Sequence, residues 1–107
     1  MKAAVYNNEI LAGILEKTSS GSYSFTYDDQ YLQNSAYPSI SLTLPKSEKS
    51  FSATNLFPFF YGLLAEGVNK TIQCGLLKID EKDDFTRLLK TATNETIGAI
   101  TIKEIEP

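Results

Sequence analysis

The sequence predicts an α+β fold: one small domain, residues 1–107, in which a mostly antiparallel sheet of about five strands packs with about three helices. Three observations predict it. Alternation with a period of two dominates the first half and is cleanest over residues 22–27, where Tyr23, Phe25 and Tyr27 alternate with Ser22, Ser24 and Thr26. From Phe57 onward the apolar spacing changes to that of a helix. A short β-branched run, residues 97–102, then returns at the end.

Ala3 to Tyr6 is short, apolar and partly β-branched, and reads as the first strand. Asn7-Asn8 follows, and asparagine tolerates the left-handed backbone that a two-residue hairpin turn requires. Residues 9–17 read as the second strand, with Ile10, Ala12 and Ile14 on one face and Leu11, Gly13 and Leu15 on the other. Apolar residues on both faces predict a strand buried on both sides. A helix is the rival reading, against which Gly13 and the flanking turn residues weigh. Thr18-Ser19-Ser20-Gly21 is a turn cluster, residues 22–27 are the third strand, and Asp28-Asp29 ends it. Tyr31-Leu32 is expected to pack back onto the sheet. Tyr37-Pro38 marks an extended entry to residues 39–44, where Ile40, Leu42 and Leu44 alternate and are expected to face inward. Pro45 closes that strand, and the polar residues 46–52 read as an exposed loop.

Thr54 or Asn55 can cap the first helix by accepting a hydrogen bond from a free backbone amide. Phe57, Phe60 and Leu64 have helical spacing, with Leu56, Phe59 and Leu63 beside them. Pro58 suits a first turn, where its missing N–H costs little. Gly62 weakens this helix and Glu66-Gly67 ends it. Residues 68–77 predict a second helix, with Val68, Ile72 and Leu76 at i, i+4 and i+8. Phe85, Leu88, Leu89 and Ala92 define a third, with Asp83 as its cap and Asp80 as an earlier candidate. Residues 93–96 are a loop, and Gly98 stands at a bulge or close approach in the last strand.

Composition narrows the function. A hydrophobic fraction of 42% with 11% aromatic residues belongs to a folded globule. The net charge is −3, from 10 Lys+Arg and 13 Asp+Glu, and the basic residues are scattered, so no stretch matches a phosphate backbone. Direct nucleic-acid binding is not expected. Cys74 is the single cysteine, so no internal disulfide is possible. No signal-peptide core or apolar run of roughly 18 residues occurs, so no membrane association is expected and the protein reads as cytoplasmic.

The chain contains no histidine, which removes the Ser-His-Asp triad, the Cys-His dyad and most zinc sites together. Cys74, on a predicted helix among apolar residues, reads as a small buried hydrophobe. Asp28-Asp29 lacks the spaced ligands of a calcium loop, and Asp80, Glu81, Asp83 and Asp84 fit better as turn and helix-start charge than as a metal site. No phosphate-binding glycine loop and no catalytic kinase motif is present. Catalytic residues, metal ligands and cofactors are therefore not expected. Tyr23, Phe25 and Tyr27 could form a stacking platform for single strands, but the adjacent Asp28-Asp29 has the wrong charge and core packing is the better account. Phe57, Phe59, Phe60 and Tyr61 cannot all face one side of a helix, so some must cover a second surface, within the domain or on a partner.

Several pieces of the chain resemble the N-terminal domain of HipA-type serine/threonine kinases. Ala12-Gly13-Ile14-Leu15 resembles its early "aG.L" strand, and Phe25-Thr26-Tyr27-Asp28 with Tyr31-Leu32 its "F.Yd..yl" piece. Ser39-Ile40-Ser41-Leu42-Thr43-Leu44-Pro45 is similar to "aLSlsLP". Phe59-Phe60-Tyr61-Gly62-Leu63-Leu64-Ala65-Glu66-Gly67 is similar to "FF.nLLPEG". Asp84-Phe85-Thr86-Arg87-Leu88-Leu89 and Gly98-Ala99-Ile100 resemble "d.f.LL" and "GAi". Ala65 stands where that family usually has proline, and Thr93-Asn94-Glu95-Thr96 replaces its usual glycine-aspartate.

The resemblance implies a HipA N-terminal-subdomain-like fold and a role beside a kinase that phosphorylates proteins, aminoacyl-tRNA synthetases among them, and arrests growth. In three-part HipBST systems a small protein of this kind is separate from its HipA-like (HipT) kinase and from a HipB-like helix-turn-helix DNA-binding protein. Opening at Met1 and ending at Pro107, the chain is expected to be that small subunit, HipS, acting as the antitoxin. An accessory subunit that completes the kinase, or the detached N-terminal domain of a longer HipA-type kinase, would have the same sequence features. A separate subunit has no tether to raise its local concentration, so it needs an apolar anchor. The expected kinase-binding residues are Tyr61, Leu64, Ala65, Glu66, Gly67 and Val68. There the glycine permits a sharp turn, Glu66 can pair with a basic group and Val68 can act as a small plug.

Overall fold

The computed structural model describes residues 1–64, 67–80, 82–91 and 100–105, and of Gly67, Val68, Gln73 and Thr91 it describes the backbone. Within these residues the order is β1 (Lys2–Asn7), β2 (Ile10–Lys17), β3 (Tyr23–Tyr27), α1 (Asp29–Gln33), β4 (Ser50–Ala53), α2 (Pro58–Tyr61), α3 (Gly67–Leu77), α4 (Asp84–Thr91) and β5 (Ile100–Ile105). The five strands form one sheet in the order β4-β3-β2-β1-β5, with every neighbouring pair antiparallel. The fold is α+β, as the sequence predicts. The last strand returns to pair with the first, matching Val5 to Ile102 and Asn7 to Ile100. Residues 97–99 of the predicted strand lie outside the described residues.

The first hairpin turns one residue later than predicted. Asn8 and Glu9 both have positive φ, at 52° and 67°, which is the backbone a two-residue hairpin loop of the mirror-image type demands. The pairing shifts register between Val5 and Tyr6, since Val5 faces Gly13 while Tyr6 faces Leu11. Ala12 is thus the extra residue of a bulge, and it is fully buried. The bulge breaks the simple alternation expected for this strand: Ala12, Gly13 and Leu15 are buried, while Leu11 and Ile14 are half-buried. Gly13 is required by packing. A Cβ there would lie 2.4 Å from the Thr26 carbonyl oxygen and 2.7 Å from the Phe25 ring.

One face of the sheet carries the core. Tyr23, Phe25 and Tyr27 of β3 are buried beside Leu15, Val5 and Ile102. The helices close over them: Phe60 of α2 lies 5.7 Å from Phe25, and Phe85 of α4 lies 6.1 Å from Tyr23, between ring centroids. Core packing is therefore the role of the β3 aromatics. Tyr31 is also buried. It belongs to a short helix, α1, which the sequence reading did not predict and which Asp28 caps by accepting from the amides of Gln30 and Tyr31.

Two neighbouring segments exchange the roles expected of them. Residues 39–44 are not a strand. Ile40 and Leu44 are buried as expected, but a turn closes between Ser41 and Leu44, and Leu42 points outward, 99% exposed. The physical reason is the Tyr27 hydroxyl, buried among apolar groups and in need of partners. It donates to the Leu44 carbonyl and accepts from the Ile40 amide, 3.1 Å away. Those two backbone groups would belong to a ladder if the segment were a strand. Instead the chain wraps round the hydroxyl between Pro38 and Pro45. The strand that pairs with β3 at this edge of the sheet is β4, largely within the stretch 46–52 read as an exposed loop. There Phe51 and Ala53 face Phe25 and Tyr23 across the ladder, while Ser50 and Ser52 are exposed.

In the helical half α3 and α4 fall where predicted, while the first predicted helix is cut to the four residues of α2. α2 begins at Pro58 with Phe57 at the cap and no side-chain capping bond, so neither Thr54 nor Asn55 caps it. It is short, and tightened i→i+3 bonds carry the chain on through Leu63 and Leu64. α3 ends at Leu77 with Lys78 in the left-handed region (φ 56°) and the Ile79 amide donating 2.9 Å back to the Cys74 carbonyl. That is a Schellman-type stop with lysine at the position glycine usually holds. Asp83 caps α4 as predicted, accepting from the Thr86 amide at 3.1 Å and the Thr86 hydroxyl at 2.7 Å.

Candidate interaction surface

The described groups with chemical potential are mostly committed to structure. Cys74 is buried. The Asp80 carboxylate accepts from the Lys82 amide, Asp83 caps α4, and Asp84 pairs with the buried Arg87 at 3.2 Å. Asp80, Asp83 and Asp84 thus serve the turn and the helix start, and Glu81 lies outside the described residues. Burial pushes the Asp83 carboxyl upward, but the hydrogen bonds from Thr86, with attraction to Lys17, outweigh it and hold the group below its ordinary value. For Tyr27 burial dominates and raises the phenol above its ordinary value, against the opposing hydrogen bonds at Ile40 and Ser39. A cavity of about 280 Å³ lies between the first hairpin and α1, lined by Ile10, Leu11, Asp28, Tyr31, Asn34 and Tyr37. Its central polar groups are in use: Asp28 caps α1, and the Tyr31 hydroxyl donates to the Pro38 carbonyl and accepts from Asn7 Nδ2.

The surface offers more. α3 places Ile72 and Leu76 four residues apart on one face, with Leu77 beside them, and these are 54%, 79% and 48% exposed. The spacing predicts this shared face; the structure turns it outward. Only Cys74 among the described side chains of α3 is buried. The sequence carried a signal of this. Asn69, Thr71 and Gly75 leave the rest of the helix without the broad apolar stripe that a core-facing helix shows.

The residues expected to bind a partner fall into three groups. Tyr61, at the end of α2, is 40% exposed. Leu64 is buried and belongs to the core cluster, which takes its side chain out of reach of a partner. Ala65 and Glu66 lie outside the described residues, and Gly67 and Val68 open α3. Helical spacing alone does not tell an inward face from an outward one, so this spacing does not mark Ile72, Leu76 and Leu77 as exposed.

Comparison with known proteins agrees with the architecture. The family model described as the HipA N-terminal domain matches residues 3–103. A protein of Haemophilus influenzae (strain ATCC 51907 / DSM 11121 / KW20 / Rd), described as an uncharacterized protein, is 34% identical over 92 residues, covering 86% of this chain and 81% of that one. The chain belongs to the HipA N-terminal domain family, which implies a toxin–antitoxin context with a kinase partner. The match is to the N-terminal domain and not to a kinase domain. Among the described residues no helix is long and apolar enough to cross a membrane.

Proposed function

We propose that this protein is the non-catalytic antitoxin of a tripartite toxin–antitoxin system, a HipS-like subunit that binds a HipA-like (HipT) serine/threonine kinase and neutralises it in the cytoplasm. The observation that carries the proposal is the apolar stripe of α3. Where β2, α2 and β5 each expose a single large apolar side chain, this helix leaves three, Ile72, Leu76 and Leu77, in water. Contiguous exposed apolar side chains of this kind mark a protein contact. The stripe follows Tyr61 and residues 64–68 in the sequence, and we assign all of them to one docking region. A HipB-like DNA-binding protein would join the complex through one of the two subunits.

The test is growth of cells expressing the HipA-like kinase of the same genome, with and without this protein, followed by co-purification. Rescue together with a stable complex is the expected result. A complex without rescue would replace the antitoxin reading with that of an accessory subunit. Absence of any complex would refute both. A Glu66→Ala, Val68→Asp double variant and a Leu76→Asp variant should each abolish rescue with the fold retained. Rescue by all of them would dismiss this surface.

A further inference from the structure

Leu42 is 99% exposed, and among the described residues no other large apolar side chain is as exposed. Its loop is nevertheless pinned at several points. The Tyr27 hydroxyl ties Ile40 to Leu44 from below. Ser39 accepts from the Lys46 amide at 2.9 Å. Lys46 Nζ donates to the carbonyls of Asn34 and Tyr37 at 2.8 and 2.7 Å, which fastens this loop to the one after α1. The Leu44 amide closes the turn onto the Ser41 carbonyl at 3.1 Å, and the hydroxyls of Ser41 and Thr43 lie 2.9 Å apart on either side of Leu42.

Neither turn nor core asks for leucine here. The first central position of such a turn favours proline or small polar residues, which pre-set or locally bond the backbone. Leucine does neither, and its side chain touches no core.

We infer that Leu42 is an anchor residue for the partner kinase, a pre-ordered apolar knob that enters an uncharged apolar pocket on the kinase, in addition to the α3 stripe. The inference rests on the kinase-binding reading above. A stable contact covers about 800 Å² on each partner. The three side chains of the α3 stripe supply on the order of 100 Å² each, so a subunit held by its surface alone needs further anchors. The loop is already ordered, so binding it costs little additional entropy. The knob is flanked by hydroxyls, and the nearby Lys46 ammonium is engaged with carbonyls, which suits a pocket without charge. A second copy is a poorer occupant. Leu42 entering the cavity beside Ile10 and Tyr31 of another molecule would be a head-to-tail contact, which propagates unless its rotation closes a ring.

The experiment is calorimetric titration of the full chain into the HipA-like kinase, for wild type, Leu42→Ala and Leu42→Asp, with thermal melting of each. A central anchor lost to alanine weakens binding by about 30-fold or more. We expect that loss for Leu42→Ala, a larger one for Leu42→Asp, and unchanged melting for both. Leu42→Ala adds no charge, so it keeps the test open if the aspartate variant melts early. Wild-type binding with unchanged affinity in both variants would overturn the inference and leave the kinase-binding reading intact. No binding by wild type would overturn the reading and the inference together. A wild-type oligomer in sedimentation that Leu42→Asp converts to monomer would assign Leu42 to a second copy and overturn the kinase as its occupant.

Discussion

Strand β3 and helix α3 both carry an apolar set at regular spacing, and the two sets have opposite fates. Tyr23, Phe25 and Tyr27 repeat every second residue and are buried. Ile72 and Leu76 are one helical repeat apart and stand in water. The difference lies in what each element meets. β3 is flanked by β2 and β4, and α2 and α4 close over its aromatic face. α3 has a narrow apolar face with small and polar residues behind it. Periodicity reports which side chains share a face; the cover over that face decides whether they stabilise the domain or await a partner.

The largest expected effect breaks the buried side of the comparison. Phe25→Ala removes a fully buried ring that contacts Tyr27 and Phe60 at 5.0 and 5.7 Å. It should cost about 4 kcal/mol, a large share of the roughly 5–15 kcal/mol available to a domain of this kind. Urea denaturation reads this directly, and a loss below about 1 kcal/mol would show that the ring is not part of a packed core.

Tyr27→Phe comes next. It keeps the ring but strips the partners from the Leu44 carbonyl and the Ile40 amide, both bonded to this hydroxyl in the interior. Each unpaired buried group costs about 1–3 kcal/mol, so we expect a loss of about 2–4 kcal/mol and earlier proteolysis within residues 39–46. The native phenol also titrates above its unfolded value of 10.0. The folded state thus holds its proton where the unfolded state releases it. Stability from this group is complete below pH 10 and falls as pH rises beyond it, a fall that Tyr27→Phe should lack.

Asp83→Ala should cost about 1 kcal/mol near neutral pH, the usual worth of an N-cap. The native carboxyl titrates below its unfolded value of 3.8. Its contribution is therefore present above that pH and is lost as pH falls through the lower folded value. The gap in melting temperature between wild type and variant should close under acid. A gap that stayed constant from pH 7 to pH 2 would mean that the charge plays no part in the cap.

What could be read from the sequence, and what could not, follows the same division. β1, β2, β3, the span of α3 and the Asp83 cap were legible, since each depends on local spacing or on one side chain beside a free amide. The exchange between residues 39–44 and β4 was not. Ser-Ile-Ser-Leu-Thr-Leu alternates as well as any strand, and only the distant Tyr27 hydroxyl, by claiming the Ile40 and Leu44 backbone groups, turns it into a loop. Phe51 between two serines was the available signal for the true edge strand. At the candidate surface Tyr61 was legible as the aromatic left over from a crowded helix. Ile72, Leu76 and Leu77 required knowing that no described element covers them.

The smallest expected effect on stability tests the exposed side. Leu76→Ser exchanges a side chain that is 79% exposed for a polar one on the outer face of α3. It forfeits little buried area, and serine lowers helix propensity by only about half a kcal/mol. Thermal melting should shift by no more than a few degrees, while affinity for the kinase falls at least tenfold if Leu76 sits at the centre of the contact. The two readouts together separate the regions: Phe25→Ala must act through folding, and Leu76→Ser through binding alone. A Leu76→Ser variant that melted as early as Phe25→Ala would mean that α3 is held by its apolar face within this domain. The stripe would then have a cover of its own, and the kinase would have to be bound elsewhere.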